Sequence, residues 1–198
     1  MIQGLISMMS TTSASLQSQF QLRDNYFNMQ NYLVGRGEGM EQILQGLINQ
    51  PAQEMDRFVT EDATNFLFRE IGHDFGSDLV ARNIQRGRDH GLPGYNSWRK
   101  FCGLSSISSM SRQPSEIPTN QWEVLKTLYS SPDQIDLFTG GLAETPVADG
   151  LTGHTFNCIK AKQFASLKDG DRCFKKSFTH QPNLTKGSSS RTQARLEA

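Results

Sequence analysis

Residues 78–104, DLVARNIQRGRDHGLPGYNSWRKFCGL, constrain the fold of this chain more than any other stretch. Asn83, Arg86 and His90 recur at i, i+3 and i+7, so a helix places all three on one face. Leu79, one turn earlier, joins them. Arg82, Arg88 and Asp89 add further charge. Gly91-Leu92-Pro93-Gly94 then breaks the helix, because glycine and proline are the strongest local punctuators. Tyr95 to Phe101 resumes it, with Trp98, Phe101 and Cys102 as candidate buried residues. An asparagine side chain offers a carbonyl acceptor, and an arginine offers a planar fork that fits a carboxylate. Such groups suit the support of a metal-bound histidine and the anchoring of an acidic group on a cofactor. Spacing alone favours an ordinary ion-pair network, Arg86 with Asp89 and Arg82 with Asp78.

Upstream, MIQGLISMM reads as the tail of a helix and TTSASLQS as a loop. Gly35 to Gly39 reads as a flexible lead-in, since neither strand pattern nor dinucleotide-binding context surrounds its glycines. Apolar residues at 40, 43, 44 and 47 predict an amphipathic helix over 40–48, stopped by Asn49-Gln50-Pro51. The segment 54–68 is predicted helical, with Met55, Phe58, Val59, Phe66 and Leu67 inward and Asp56, Glu61 and Asp62 as surface charges.

Downstream, the serine-rich stretch 105–118 predicts a surface loop. A helix follows through Trp122, Val124, Leu125 and Leu128, capped by Thr119 or Asn120. Ser130 to Asp133 turns the chain. Residues 151–167 are predicted helical, with Phe156, Ile159, Phe164 and Leu167 on one side.

Twenty Lys and Arg balance twenty Asp and Glu, giving no net charge. A nucleic-acid binder built on Arg82, Arg86 and Arg88 would normally show a basic excess, so no nucleic-acid partner is expected. No apolar run approaches membrane-spanning length. MIQGLISMMS lacks the basic start and cleavage site of a signal peptide. Three cysteines are too few for a disulfide-rich scaffold. No Ser–His–acid set or paired-cysteine metal motif stands out. His73, in a Gly-His-Asp-Phe-Gly loop, and His90, His154 and His180 lack the surroundings of a metal ligand.

The run NIQRGRDHGLPGYNSWRKFCGL resembles the signature of the animal haem peroxidases, especially their arthropod secreted members. The resemblance continues through GMEQILQGLINQPAQEMDRFVTEDATNFLF, the block Ile135 to Glu144, and the turn Asp169-Gly170-Asp171-Arg172. It covers residues 1–172 and leaves 173–198 as a divergent tail whose composition does not order itself. The fold it implies is all-α, part of the haem-dependent peroxidase fold.

The activity implied is reduction of hydrogen peroxide at a haem iron, with oxidation of a halide, phenolic or protein donor. A non-catalytic extracellular interaction domain derived from a peroxidase is the alternative. By resemblance Asn83 accepts a hydrogen bond from the proximal histidine of the haem, Arg86 pairs with a haem propionate, and Leu79 lines the proximal haem face. Arg82 stands where mammalian members have leucine. The family's proximal histidine falls two residues before Met1. Its distal histidine and arginine, and its calcium loop, fall further upstream. The chain is therefore expected to be the C-terminal portion of the domain, lacking its N-terminal half. No catalytic residue and no metal ligand is expected within it, and it is expected to be inactive alone. The resemblance also implies a Cys102–Cys158 disulfide, with Cys173 left over, and an extracellular location. There the sequon Asn183-Leu184-Thr185 could be glycosylated.

Overall fold

The computed structural model describes residues 5–10, 15–53 and 55–170. Of these, 50% are helical and 8% strand. The chain divides into two compact units, residues 1–157 and 158–198. The expected tail and its sequon lie outside the described residues.

The helical tail expected at the start is instead a hairpin. Strands β1 (Leu5–Met9) and β2 (Leu16–Gln21) pair antiparallel, with Ile6 opposite Phe20 and Ser7 opposite Gln19, and a bulge follows Met8. A short apolar run does not distinguish helix from strand, so the partner strand decides it. Ser7 and Met8 are both buried. Adjacent strand residues point to opposite faces, so β1 is covered on both sides. Helix α1 (Gln30–Gly37) extends into the expected glycine-rich lead-in. Helix α2 (Gly39–Asn49) occupies the predicted span and lies against β1. Its Met40, Leu44, Leu47 and Ile48 remain exposed.

The helix expected over 54–68 shrinks to one turn, α3 (Glu61–Thr64). Beyond it, Leu67 and Ser77 exchange both backbone hydrogen bonds, at 3.2 and 2.7 Å. That non-local pairing takes the chain out of the helix. Met55 and Phe58 are exposed, while Leu67 is buried as expected. The guanidinium groups of Arg23 and Arg69 lie over the Phe66 ring, 4.7 and 5.1 Å from its centroid. Asp62, expected on the surface, is fully buried and takes an ion pair from Arg23. Its backbone carbonyl also accepts from the Tyr26 hydroxyl. Burial beside this carboxylate raises the Tyr26 pKa.

Helix α4 (Leu79–Asp89) confirms the predicted helix of the central stretch. Asp78 caps it, its Oδ1 accepting from Val80 N at 2.8 Å and Ala81 N at 3.1 Å. A cap aspartate satisfies amides that have no partner within the helix. Gly91, at φ +64°, starts the turn that ends the helix. Helix α5 (Tyr95–Phe101) follows. Phe101, expected inward, is exposed, and Trp98 and Cys102 are only half-buried. Tyr95 is the residue of α5 that enters the core.

That core joins Tyr95, Ile107, Ile117, Trp122, Leu125 and Ile135. Two of these belong to the loop 105–118, which therefore lies partly inside. It is held by Asn96, whose side chain both donates to Ile107 O (3.1 Å) and accepts from Ile107 N (2.7 Å). Helix α6 (Thr119–Leu128) buries Trp122 and Leu125 but leaves Val124 and Leu128 exposed. It starts after Pro118 without a side-chain cap.

Helix α7 (Leu137–Ala143) packs on α5. A Cβ on Gly140 would stand 2.3 Å from Tyr95 Cγ, so only glycine permits this approach. Helix α8 (His154–Gly170) runs through Asp169 and Gly170, which were expected in a turn. Phe164 and Leu167, placed on one side by their helical spacing, are exposed.

Candidate functional site

Helix α4 and the segment 128–138 enclose a cleft of about 1070 Å³. Asn83, Arg86 and His90 open into it, as their i, i+3, i+7 spacing predicts. Leu79 is half-buried and does not line it. Ile84, Leu92, Leu128, Leu137, Phe138 and Phe156 supply apolar wall. The walls come from elements far apart in sequence, and no local pattern marks them.

The ion pairs that spacing allowed do not form. Arg82 Nε donates to Ser77 Oγ at 2.7 Å, and Asp89 accepts from Gln85 Nε2 at 2.7 Å. Asp78 is committed to its cap. The side chains of Asn83 and Arg86 have no hydrogen bond or ion pair to any described residue.

Arg88 is different. Its Nε and Nη2 reach Asp136 Oδ1 and Oδ2 at 2.9 and 2.7 Å, a bidentate pair. Tyr129 donates to the same Asp136 Oδ2 at 2.9 Å. The hydrogen bonds from Arg88 hold the Asp136 carboxyl below the usual carboxylate range, while partial burial pulls the other way. Arg88 is raised in turn by that hydrogen bond and charge. Tyr129 is raised, chiefly by burial. Sequence reasoning missed this trio. Arg88 and Asp136 lie 48 positions apart, and neither carries a signal for the other.

The remaining described histidines lie elsewhere. His73 Nε2 is 3.9 Å from Glu70 Oε2 on an exposed loop. His154 Nε2 is 3.3 Å from the Cys102 carbonyl. Among the described residues, no group of three or more His, Cys, Asp or Glu could hold a metal ion. No described helix is long and apolar enough to cross a membrane. Cys102 and Cys158 are both in the disulfide-bonded form.

The cleft combines apolar walls with one guanidinium and one carboxamide that have no partner among the described residues. It thus suits a largely apolar molecule that carries a carboxylate. The animal haem peroxidase family model matches residues 1–194. Thyroid peroxidase of Sus scrofa is 40% identical over 158 residues, which span 78% of this chain and 17% of that protein. Lactoperoxidase of Mesocricetus auratus is 37% identical over 160 residues, 79% of this chain and 22% of that one. Among solved structures, peroxidase A of Dictyostelium discoideum superposes with a TM-score of 0.72 at 31% identity, covering 90% of this chain and 34% of that one. Fatty acid alpha-dioxygenase of Oryza sativa, 16% identical at a TM-score of 0.63, shares the fold. The chain belongs to the animal haem peroxidase family, and it spans less than a quarter of the thyroid peroxidase and lactoperoxidase chains it resembles.

Proposed function

We propose that this chain is the proximal-side portion of an extracellular haem peroxidase domain, with residues 1–172 in the domain and 173–198 a divergent tail. The observation that carries this is the convergence of Asn83 and Arg86, both unpartnered among described residues, on one apolar-walled cleft. Arg86 pairs with a haem carboxylate through its planar fork. Asn83 would offer its carbonyl to the N–H of the histidine that holds the haem, which the resemblance places ahead of Met1. A neutral amide orients that ring without the anionic character that a carboxylate partner would impose. The resemblance alone assigns Leu79 to the proximal side, since it does not line the cleft. The haem, when bound, supplies the iron at which peroxide is reduced and a halide, phenolic or protein donor is oxidised.

The test uses the peroxidase domain with its upstream segments present. Asn83→Ala should lower haem affinity about 10–100-fold, the usual cost of losing a partner behind a metal ligand. Arg86→Lys should only partly recover what Arg86→Ala loses, because the charge returns without the fork. Unchanged haem content, redox potential and turnover in all three variants would refute the assignment. The 198 residues alone should give neither a histidine-ligated Soret and resonance Raman signature nor peroxide turnover above free haemin. A stoichiometric, histidine-ligated haem would overturn that expectation and return His73 and His90 to consideration.

A further inference from the structure

The two guanidinium groups in the cleft are in opposite states. Arg86 has no partner among described residues, whereas Arg88 is gripped at two points by Asp136. Asp136 is itself held by the Tyr129 hydroxyl, and its side chain is only 14% exposed against 58% for Arg88. The acid is therefore the fixed partner and the arginine the side chain with room to move. The other charged group lining the cleft is Asp133, whose Oδ1 accepts from Asn96 Nδ2 at 2.7 Å. His90 is the remaining ionisable side chain on the α4 face.

We infer that Asp136 determines how many carboxylates the cleft holds: by occupying Arg88 it leaves Arg86 as the one cleft guanidinium without a partner among the described residues, so a ligand is gripped through a single carboxylate. The inference rests on the reading of the cleft as a porphyrin site. A second carboxylate on the same ligand meets no free guanidinium and gains little. Neutralising Asp136 frees Arg88, which then provides a second carboxylate-binding point. Asp136 thus sets specificity through its hold on Arg88.

The test uses the 198-residue chain and metal-free protoporphyrin IX, its monomethyl ester and its dimethyl ester, so that iron ligation plays no part. Binding is followed by porphyrin fluorescence at pH 8, where an ordinary imidazole is neutral. In the unmodified chain the diacid and the monoester should bind within about two-fold of each other, the statistical factor for two equivalent acids. The dimethyl ester should bind at least about ten-fold more weakly, as expected for loss of one charge-assisted hydrogen bond. In Asp136→Asn the diacid should gain about ten-fold over the monoester. The double variant Asp136→Asn/Arg88→Gln removes both partners of the pair and should restore the original ratios. If Asp136→Asn does not fold by circular dichroism, the double variant decides the matter. Losing as much affinity as Arg86→Gln would show that Arg88 already contributes, and would overturn the inference. So would a folded Asp136→Asn with no gain for the diacid. If Arg86→Gln binds all three porphyrins as the unmodified chain does, or none binds, the porphyrin-site reading falls and the inference with it. If Arg86→Gln weakens binding and Asp136→Asn brings no gain, the inference alone falls.

Discussion

Glu144, at the C-terminal end of α7, offers a sharp test of what holds the first unit together. Its side chain is fully buried. Tyr95 donates to its Oε1 at 2.7 Å, Thr155 Oγ1 to the same oxygen at 2.6 Å, and Thr155 N to its Oε2 at 2.8 Å. Arg99, itself almost fully buried, donates to the Tyr95 hydroxyl at 3.0 Å and lies 3.8 Å from the carboxylate. Its other charged partner is Glu116, at 2.9 Å, and its Nε donates to Ser105 O at 3.3 Å. Burial, reinforced by the Glu144 charge, pushes the Tyr95 phenol far above its ordinary value, so it remains a donor. Glu144→Ala would remove the acceptor for three donors and half the charge compensation of a buried guanidinium. Breaking such a group costs about 3–5 kcal/mol, which for a domain of this size lowers Tm by about 6–20 °C. Glu144→Gln keeps one oxygen acceptor and should cost roughly half as much. Thermal and urea unfolding followed by circular dichroism read both. The exposed pair Lys126–Glu123, at 2.7 Å, provides the control, since Glu123→Ala should cost less than about 1 kcal/mol. A Glu144→Ala variant as stable as this control would refute the network as a source of stability.

Asp136 should make the fold acid-sensitive. Its folded pKa is lowered, so the unfolded chain binds more protons and stability rises with pH there. The contribution is present above the ordinary aspartate pKa of about 3.9 and is lost as pH falls through the lower folded value. Asp136→Asn should flatten urea midpoints over that window, and an unchanged slope would argue against the pair. Gly140→Ala should cost about 1–3 kcal/mol by forcing α7 away from Tyr95; a melting temperature equal to the parent's would show that α7 can shift freely. Peptide mapping without reduction should recover Cys102 linked to Cys158, with Cys173 free. Closing so long a loop is worth up to about 4 kcal/mol by chain-entropy reasoning. A Cys158–Cys173 peptide would contradict the pairing that the resemblance implies.

The sequence by itself determined the elements whose signals are local. The 3.6-residue period of Leu79, Asn83, Arg86 and His90 gave α4 its polar face. Gly91 to Gly94 ended that helix. Asn49-Gln50-Pro51 ended α2. The long contiguous resemblance marked the family. Tertiary structure decided whatever depended on a distant partner. The opening apolar run became a strand because Leu16–Gln21 lies beside it. The helix expected over 54–68 was cut short because Leu67 pairs with Ser77. Asp62 is buried because Arg23 meets it 39 positions away. Loop residues Ile107 and Ile117 entered the core because Asn96 ties the loop down and Trp122 packs there. The same division runs through the cleft. Helical spacing put Asn83 and Arg86 side by side, but Asp136 determined which arginine is free. A charge pattern lists possible partners; only the folded chain, by desolvating some and leaving others in water, selects among them.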